Sequence, residues 1–182
     1  MLWVILGVIT LILIGVIIIY NQLVQSRQFV DNGWSDIEVQ LKRRADLIPR
    51  LVETVKGYAA HERKLFSEVI EKRNAALAAG DKPTARASAE SALQRPVGRL
   101  IALAEDYPDL RASDNFLDLQ NELSETEDKI EMARRFYNGA VRGLNTKVES
   151  VPSNLVAKPF GFYKRDYFEI DESDYAVPEV KL

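Results

Sequence analysis

Residues 2–20, LWVILGVITLILIGVIIIY, carry no charged side chain, and the first charge in the chain is Arg27. This run limits the fold more than any other feature. Nineteen helical residues rise roughly 28 Å, close to the hydrocarbon thickness of a bilayer, and Leu23 and Val24 add about one more turn. The stretch therefore reads as a membrane span over residues 2–24, with Trp3 and Tyr20 near its ends, where amphipathic rings favour the interface. A buried core helix and a cleaved signal peptide are the competing readings. Against the signal peptide, nothing basic precedes the run and no small-x-small site follows it. Lys and Arg are absent before the span, whereas Arg27, Lys42, Arg43 and Arg44 follow it, which predicts a cytoplasmic C-terminal domain. Three of those four charges lie far along the chain, so placement on the outer side stays open.

The rest of the 182-residue chain is large enough for one ordinary domain. With 24 Lys+Arg against 27 Asp+Glu, it has no basic excess to neutralise phosphates, which argues against a nucleic-acid partner. The absence of cysteine excludes disulfides, thiolate metal sites, thiol nucleophiles and lipidation at Cys.

No Gly or Pro follows the span until Gly33, so its helix is expected to continue as a rigid stalk. Apolar residues spaced by threes and fours run through Leu23, Val30, Trp34, Ile37, Leu41, Ile48, Leu51, Val55, Tyr58, Leu65, Val69 and Ala76, predicting one long helix. Arg27, Arg44, Glu62 and Lys72 fall on the same stripe as polar layers or open ends. Pro49 is expected to kink this helix, with a full break as the alternative. GDKP at 80–83 reads as a turn into an Ala-rich helix over about residues 84–105, kinked at Pro96, with Ala85, Ala89, Ala92, Leu93, Leu100, Ile101 and Leu103 on its face. A third helix is expected from an N-cap at Ser113 to just before Pro152. There Phe116, Leu123, Ile130, Tyr137, Leu144 and Val151 recur every seven residues, with Gln120, Glu127, Arg134, Val141 and Val148 at the partner position. The expected fold is all-α: a transmembrane helix continuing into an elongated antiparallel up-and-down bundle of three to four long helices over residues 25–151. Residues 152–182 show no helix period and read as an extended strap. Its aromatics Phe160, Phe162, Tyr163, Tyr167 and Phe168 either pack on the bundle or present a partner surface. An acidic cluster follows at Glu169, Asp171, Glu172 and Asp174, and the last ten residues are expected to be mobile.

Buried charges need opposite partners, since an unpaired one costs on the order of 3–5 kcal/mol. Arg44 or Arg27 is therefore expected to pair across helices with Glu127, and Glu62 with Arg134, unless the seams let these charges reach solvent.

Motifs of catalytic chemistry are mostly absent from the sequence. His61-Glu62 begins like a zincin motif, but residue 65 is Leu and no second His exists, so two-histidine zinc ligation is impossible. Paired Glu-x-x-His units and the glycine loops of nucleotide sites are absent too, so no cofactor is expected. A triad through His61 stays formally open, with nothing to position a nucleophile.

Several blocks resemble the LemA proteins of bacteria: YNQLV at 20–24, WSDIEVQLKRRADLIPRLVETVKGYAAHE at 34–62, YPDLRAS at 107–113, NFLDLQNELSETEDKI at 115–130, RRFYNGAV at 134–141 and GFYKRDYFE at 161–169. The resemblance implies a single-pass protein of the bacterial cytoplasmic membrane with an antiparallel helical bundle and no catalytic residue to carry over. It also implies a link, in some bacteria, to a membrane zinc metallopeptidase. Gly33 departs from it, an Ala being the more usual neighbour of Trp34, and is expected to loosen the stalk.

The leading functional expectation is a membrane-anchored adaptor or scaffold whose partners are the bilayer and other membrane proteins. A self-assembling structural protein is next, since Gly7 and Gly15 lie on nearly one face of the span and permit close helix approach. A transmembrane sensor and an enzyme are disfavoured.

Overall fold

A proline inside a helix lacks the N–H that would bind the carbonyl four residues earlier, so Pro49 orphans the carbonyl of Ala45. In the computed structural model, which describes residues 1–169, that carbonyl accepts a 2.7 Å hydrogen bond from Arg73 Nε. Helix α1 (Leu2–Lys56) runs through Pro49 without interruption for 55 residues. The expected continuation to Ala76 does not occur. The break falls at Gly57–Glu62, where the helix tightens as the N–H groups of Tyr58 and Ala59 share the Val55 carbonyl. Gly57 carries the largest backbone entropy cost in a helix, which favours ending the helix there. Ala59, rather than Tyr58, is buried at this corner.

Five further helices follow: α2 (Arg63–Ala78), α3 (Pro83–Glu105), α4 (Pro108–Arg111), α5 (Asp114–Glu149) and α6 (Ser153–Ala157). Among the described residues the fold is all-α and contains no strand, a helical bundle with one long apolar N-terminal helix. Pro96 sits inside α3 without ending it. The region after Pro152 departs from the extended strap expected of it, since α6 forms there, with Val156 and Ala157 buried and Leu155 turned outward.

The chain packs as two compact units. The first holds Met1–Ile37 and Met132–Tyr167. Within it, α1 and α5 run antiparallel, Gly33 lying against Tyr137 and Ser26 bonding Lys147. Leu23, Val30, Ile37, Tyr137, Val141, Leu144 and Phe162 form its interior. A Cβ on Gly33 would sit 3.1 Å from the Tyr137 Cα and 3.0 Å from the Phe136 ring, so glycine here brings two helices into close approach and does not loosen a stalk. Residues 2–14 of α1 are exposed on every side.

The second unit holds Glu38–Glu131 with, of the described residues, Phe168 and Glu169. Its core draws on five helices, including Ile48, Leu51 and Val55 of α1, Phe66 and Val69 of α2, Leu93 and Leu100 of α3, Leu110 of α4, and Phe116, Leu119 and Leu123 of α5. The seven-residue series in α5 is buried from Phe116 through Leu144, but Val151 is exposed. Its partner position differs from expectation in the first half of the helix. Leu119 and Thr126 are buried, whereas Gln120 is exposed. Thr126 tolerates full burial because its hydroxyl bonds back to the Glu122 carbonyl at 2.7 Å.

A buried charge cluster and an aromatic clasp

The face that α3 turns inward is also shifted from the alanine face expected of it. Ala85 and Ala92 are exposed, and Arg86, Ala87, Glu90, Leu93, Val97, Leu100 and Ala104 are buried. This shift brings two unanticipated charges to Arg44. The Arg44 guanidinium, buried on α1, donates from Nη1 to Glu127 Oε1 at 2.7 Å and from Nη2 to Glu90 Oε2 in a shorter contact. Glu90 is also approached by Arg86 Nε at 3.4 Å, and Arg86 Nη1 donates to the Ala76 carbonyl at 2.8 Å, capping the C-terminal end of α2. Two arginines and two glutamates thus balance. Burial, the largest single influence, disfavours the Arg44 charge, but the carboxylates of Glu127 and Glu90 together outweigh it and hold the guanidinium above its ordinary pKa. Arg44 is permanently cationic and can act as a fixed charge but not as a base.

Glu127 is half-buried, reaching toward solvent beside a cavity of about 350 Å³ walled by Leu93, Val97, Ile101 and Leu123. The mainly apolar walls offer hydrogen-bonding groups only from Arg44, Glu127, Gln94, Gln120 and Ser124. Glu62 stands exposed at the start of α2 and is not a buried partner for any cation. Arg134 is half-buried on α5. The residues missed by sequence reasoning, Arg86 and Glu90, carry a readable signal: 86, 90, 93, 97, 100 and 104 step by four and three, a helical face that shows only if the charges are admitted to it.

The first unit has a different arrangement. Tyr20 makes edge contacts with Phe160 and Phe162, at centroid distances of 5.1 and 5.7 Å, and Arg27 lies 5.0 Å above the Phe162 ring. Arg27 therefore meets an aromatic face. Trp34 packs on Tyr137 at 5.6 Å, and the Tyr137 hydroxyl donates to the Asp166 carbonyl at 2.8 Å. Burial pushes the Tyr137 phenol up to about 12. The strap is tied down further by Asn145, which bonds both the N–H and the carbonyl of Arg165, and by Lys164 on Glu149 at 2.7 Å. Of the five strap aromatics, Phe162 and Phe168 are buried, Tyr167 is partly so, and Phe160 and Tyr163 are exposed. Trp3 is exposed near the start of α1. Of the acidic cluster only Glu169 is described; Asp171, Glu172, Asp174 and the last ten residues lie outside the described residues.

The family model described as LemA family matches residues 33–182. The chain is 27% identical over 152 residues to Protein LemA of Metamycoplasma hominis, covering 84% of this chain and 69% of that one. It is 26% identical over 175 residues to Magnetosome protein MamQ 2 of Paramagnetospirillum magneticum, covering 82% of this chain and 64% of the relative. It is 25% identical over 174 residues to Magnetosome protein MamQ of Magnetospirillum gryphiswaldense, with the same coverage. The chain thus spans somewhat under two thirds of the length of the magnetosome relatives. These relatives, together with a helix long and apolar enough to cross a bilayer, indicate a membrane protein. The match across both units, from the Trp34 packing site through the strap, shows that the chain belongs to the LemA family.

Proposed function

We propose that this chain is a non-enzymatic adaptor or scaffold anchored in the bacterial cytoplasmic membrane by residues 2–24, with its helical domain on the cytoplasmic side. In this reading it serves a membrane zinc metallopeptidase or envelope complex. The observation that carries the reading is the set of large apolar side chains turned outward on the soluble part of the first unit: Phe29, Phe136 and Tyr163. Such residues on a well-tied frame are suited to holding another protein. The non-enzymatic part rests on the sequence, whose one imidazole, His61, is exposed on the turn between α1 and α2. Magnetosome naming of two relatives is consistent with service to a membrane-bound assembly. Self-assembly is the second reading, favoured by Gly7 and Gly15, whose surroundings are open to a neighbouring helix.

Photocross-linking from Tyr163 in native membranes, followed by mass identification, tests the two. A recurrent membrane metallopeptidase in the adduct supports the adaptor. A ladder of multiples of this chain replaces it with self-assembly, and adducts containing neither remove the surface from the argument.

A further inference from the structure

The strap's exposed apolar residues have a position that singles out what covers them. Lys147 Nζ donates to Ser26 Oγ at 2.7 Å and reaches the Gln22 carbonyl at 3.4 Å, so the end of α5 lies beside residues 22–26 of α1. Four residues later, about 6 Å further along the helix direction, Val151 has reached the level of Tyr20. The chain then turns through α6 and comes back to put Phe160 and Phe162 against the Tyr20 ring. It is held compact there by the Phe160 N–H on the Val156 carbonyl and the Phe162 N–H on the Ala157 carbonyl, at 3.3 and 2.9 Å. Tyr20 ends the apolar run, and Arg27, roughly 10 Å further on, is the first charge. The interfacial layer of a bilayer is roughly 5–8 Å thick on each side, so a segment whose rings touch Tyr20 starts in that layer, and its contact with Arg27 lies at the outer edge of it.

Three side chains of this segment face outward although they are apolar: Val151 at 77% exposure, Leu155 at 70% and Phe160 at 54%. In water each would be costly. Beside the mouth of a spanning helix such side chains can extend its apolar surface into the interfacial layer, and Lys158 of the same segment is exposed and long enough to reach phosphate groups. The segment is otherwise committed inward through Val156, Ala157 and Phe162.

We infer that residues 150–162 are a second membrane contact, an interfacial wedge of Val151, Leu155 and Phe160 seated in the lipid headgroup layer beside the span. The inference rests on the reading of residues 2–24 as the span. It assigns to lipid part of the strap otherwise available to a protein partner, and leaves Tyr163, which follows Phe162 away from the wedge, for that partner. The consequence is that α1 and the end of α5 are both fixed to the bilayer, which limits swivelling of the first unit about a single helix.

The chain has no cysteine, so single-cysteine variants can be labelled with an environment-sensitive fluorophore at chosen sites. Val151→Cys and Leu155→Cys alter exposed positions; Ile12→Cys reports the span, and Ser67→Cys reports an exposed site on α2. The full chain is placed in phosphatidylcholine nanodiscs with a share of lipid spin-labelled near the headgroup end of its acyl chain to read positions 67, 151 and 155, or near the methyl end to read position 12 at the middle of the span. The expected result is quenching at 151 and 155 about threefold above that at 67, with blue-shifted emission. Quenching at 151 and 155 equal to that at 67, with Ile12→Cys still quenched, overturns the wedge and leaves the span intact. Blue-shifted emission without quenching also overturns it, showing a protein surface over the segment instead. An unquenched label at 12 overturns the span reading and the wedge together.

Discussion

Both units use α1 and α5, yet they stabilise the pair by different chemistry. In the unit holding residues 38–131, Arg44 is buried and finds carboxylates on two other helices, Glu90 of α3 and Glu127 of α5. In the unit holding residues 1–37 and 132–167, no third long helix contributes among the described residues, and the pairing uses a glycine contact, ring packing and bonds to strap carbonyls. The difference follows from valence. A guanidinium presents five N–H donors and loses most of its hydration on burial, so it needs acceptors from more than one direction. Two helices and a strap meet neutral groups more cheaply, each wanting one partner or none.

If that account holds, removing one carboxylate has the largest effect of any single change. Glu90→Ala leaves Arg44 with Glu127 alone and strips Arg86 of its ion partner, and is expected to cost about 3–5 kcal/mol. Denaturant unfolding of the full chain in nanodiscs, followed by helical circular dichroism, reads the loss. Hydrogen exchange should place it in α2 and α3 and spare Tyr137 and its neighbours. The joint change Arg44→Met with Glu90→Leu should recover part of the stability, because it removes the Arg44 charge along with its partner, while Arg86 keeps only its bond to the Ala76 carbonyl. A Glu90→Ala protein as stable as the parent would mean that water already serves Arg44, and the contrast between the units would lose its basis.

The first unit gives its counterpart in pH dependence. The Tyr137 phenol is raised from near 10 to about 12, mainly by burial. A group whose folded pKa lies above its unfolded value adds stability that is whole below the unfolded value and is lost as pH rises through the folded one. The first unit should therefore weaken between pH 10 and 12 by on the order of 2 kcal/mol, visible as delayed phenolate absorbance and falling protection of α5. Tyr137→Phe should abolish this slope while leaving the Arg44 cluster unchanged. Arg44, whose guanidinium is held above its ordinary value, adds no slope in the same window. A parent protein with a flat profile over that range would show that Tyr137 reaches solvent.

A smaller effect separates proline from its rescue. Arg73→Met leaves the Ala45 carbonyl unpaired inside the second unit and should cost about 1–3 kcal/mol. Pro49→Ala restores an N–H for that carbonyl, so Arg73→Met should cost much less in a Pro49→Ala background. Equal costs in both backgrounds would show that Arg73 stabilises through Asp46, 3.7 Å away, and not through the helix it spans.

These cases mark what the sequence disclosed and what it hid. The long apolar N-terminal helix, the all-α class and the buried series Phe116, Leu123, Ile130, Tyr137 and Leu144 were legible because apolar runs and apolar spacing are read directly from sequence. The passage of α1 through Pro49 was legible too, because the stripe keeps its register across it, but the end of the helix at Gly57–Glu62 was not, because the same stripe runs on into α2 through Leu65, Val69 and Ala76. The inward face of α3 was misread for another reason: Arg86 and Glu90 look like surface residues until their partners are known, and the alanines beside them look like core. In the strap, the aromatics were visible as a group, but the burial of Phe162 depended on Tyr20 and Arg27, more than a hundred residues away. Local pattern finds faces; burial of polar groups is decided by contacts distant in sequence.

The smallest predicted change is the most exacting for the first unit. Gly33→Ala gains up to about 1 kcal/mol in helix propensity, and against that sets a Cβ 3.0 Å from Phe136 Cδ1 and 3.1 Å from the Tyr137 Cα. Phe136 is half-exposed and can turn its ring away, but the backbone carbon belongs to α5 and yields only if the helices part by a few tenths of an ångström. The two terms nearly cancel, so Gly33→Ala should lie within about 1 kcal/mol of the parent. Gly33→Val adds bulk and β-branching with no propensity gain to match, and should lose about 1–3 kcal/mol. The Trp34 ring, 5.6 Å from Tyr137, supplies the local readout, since parting the helices would change its near-ultraviolet circular dichroism before global stability moves. If Gly33→Val keeps both the Trp34 signal and the parent stability, the close approach is not what holds the first unit, and its cohesion must lie in the strap bonds at Tyr137 and Asn145 instead.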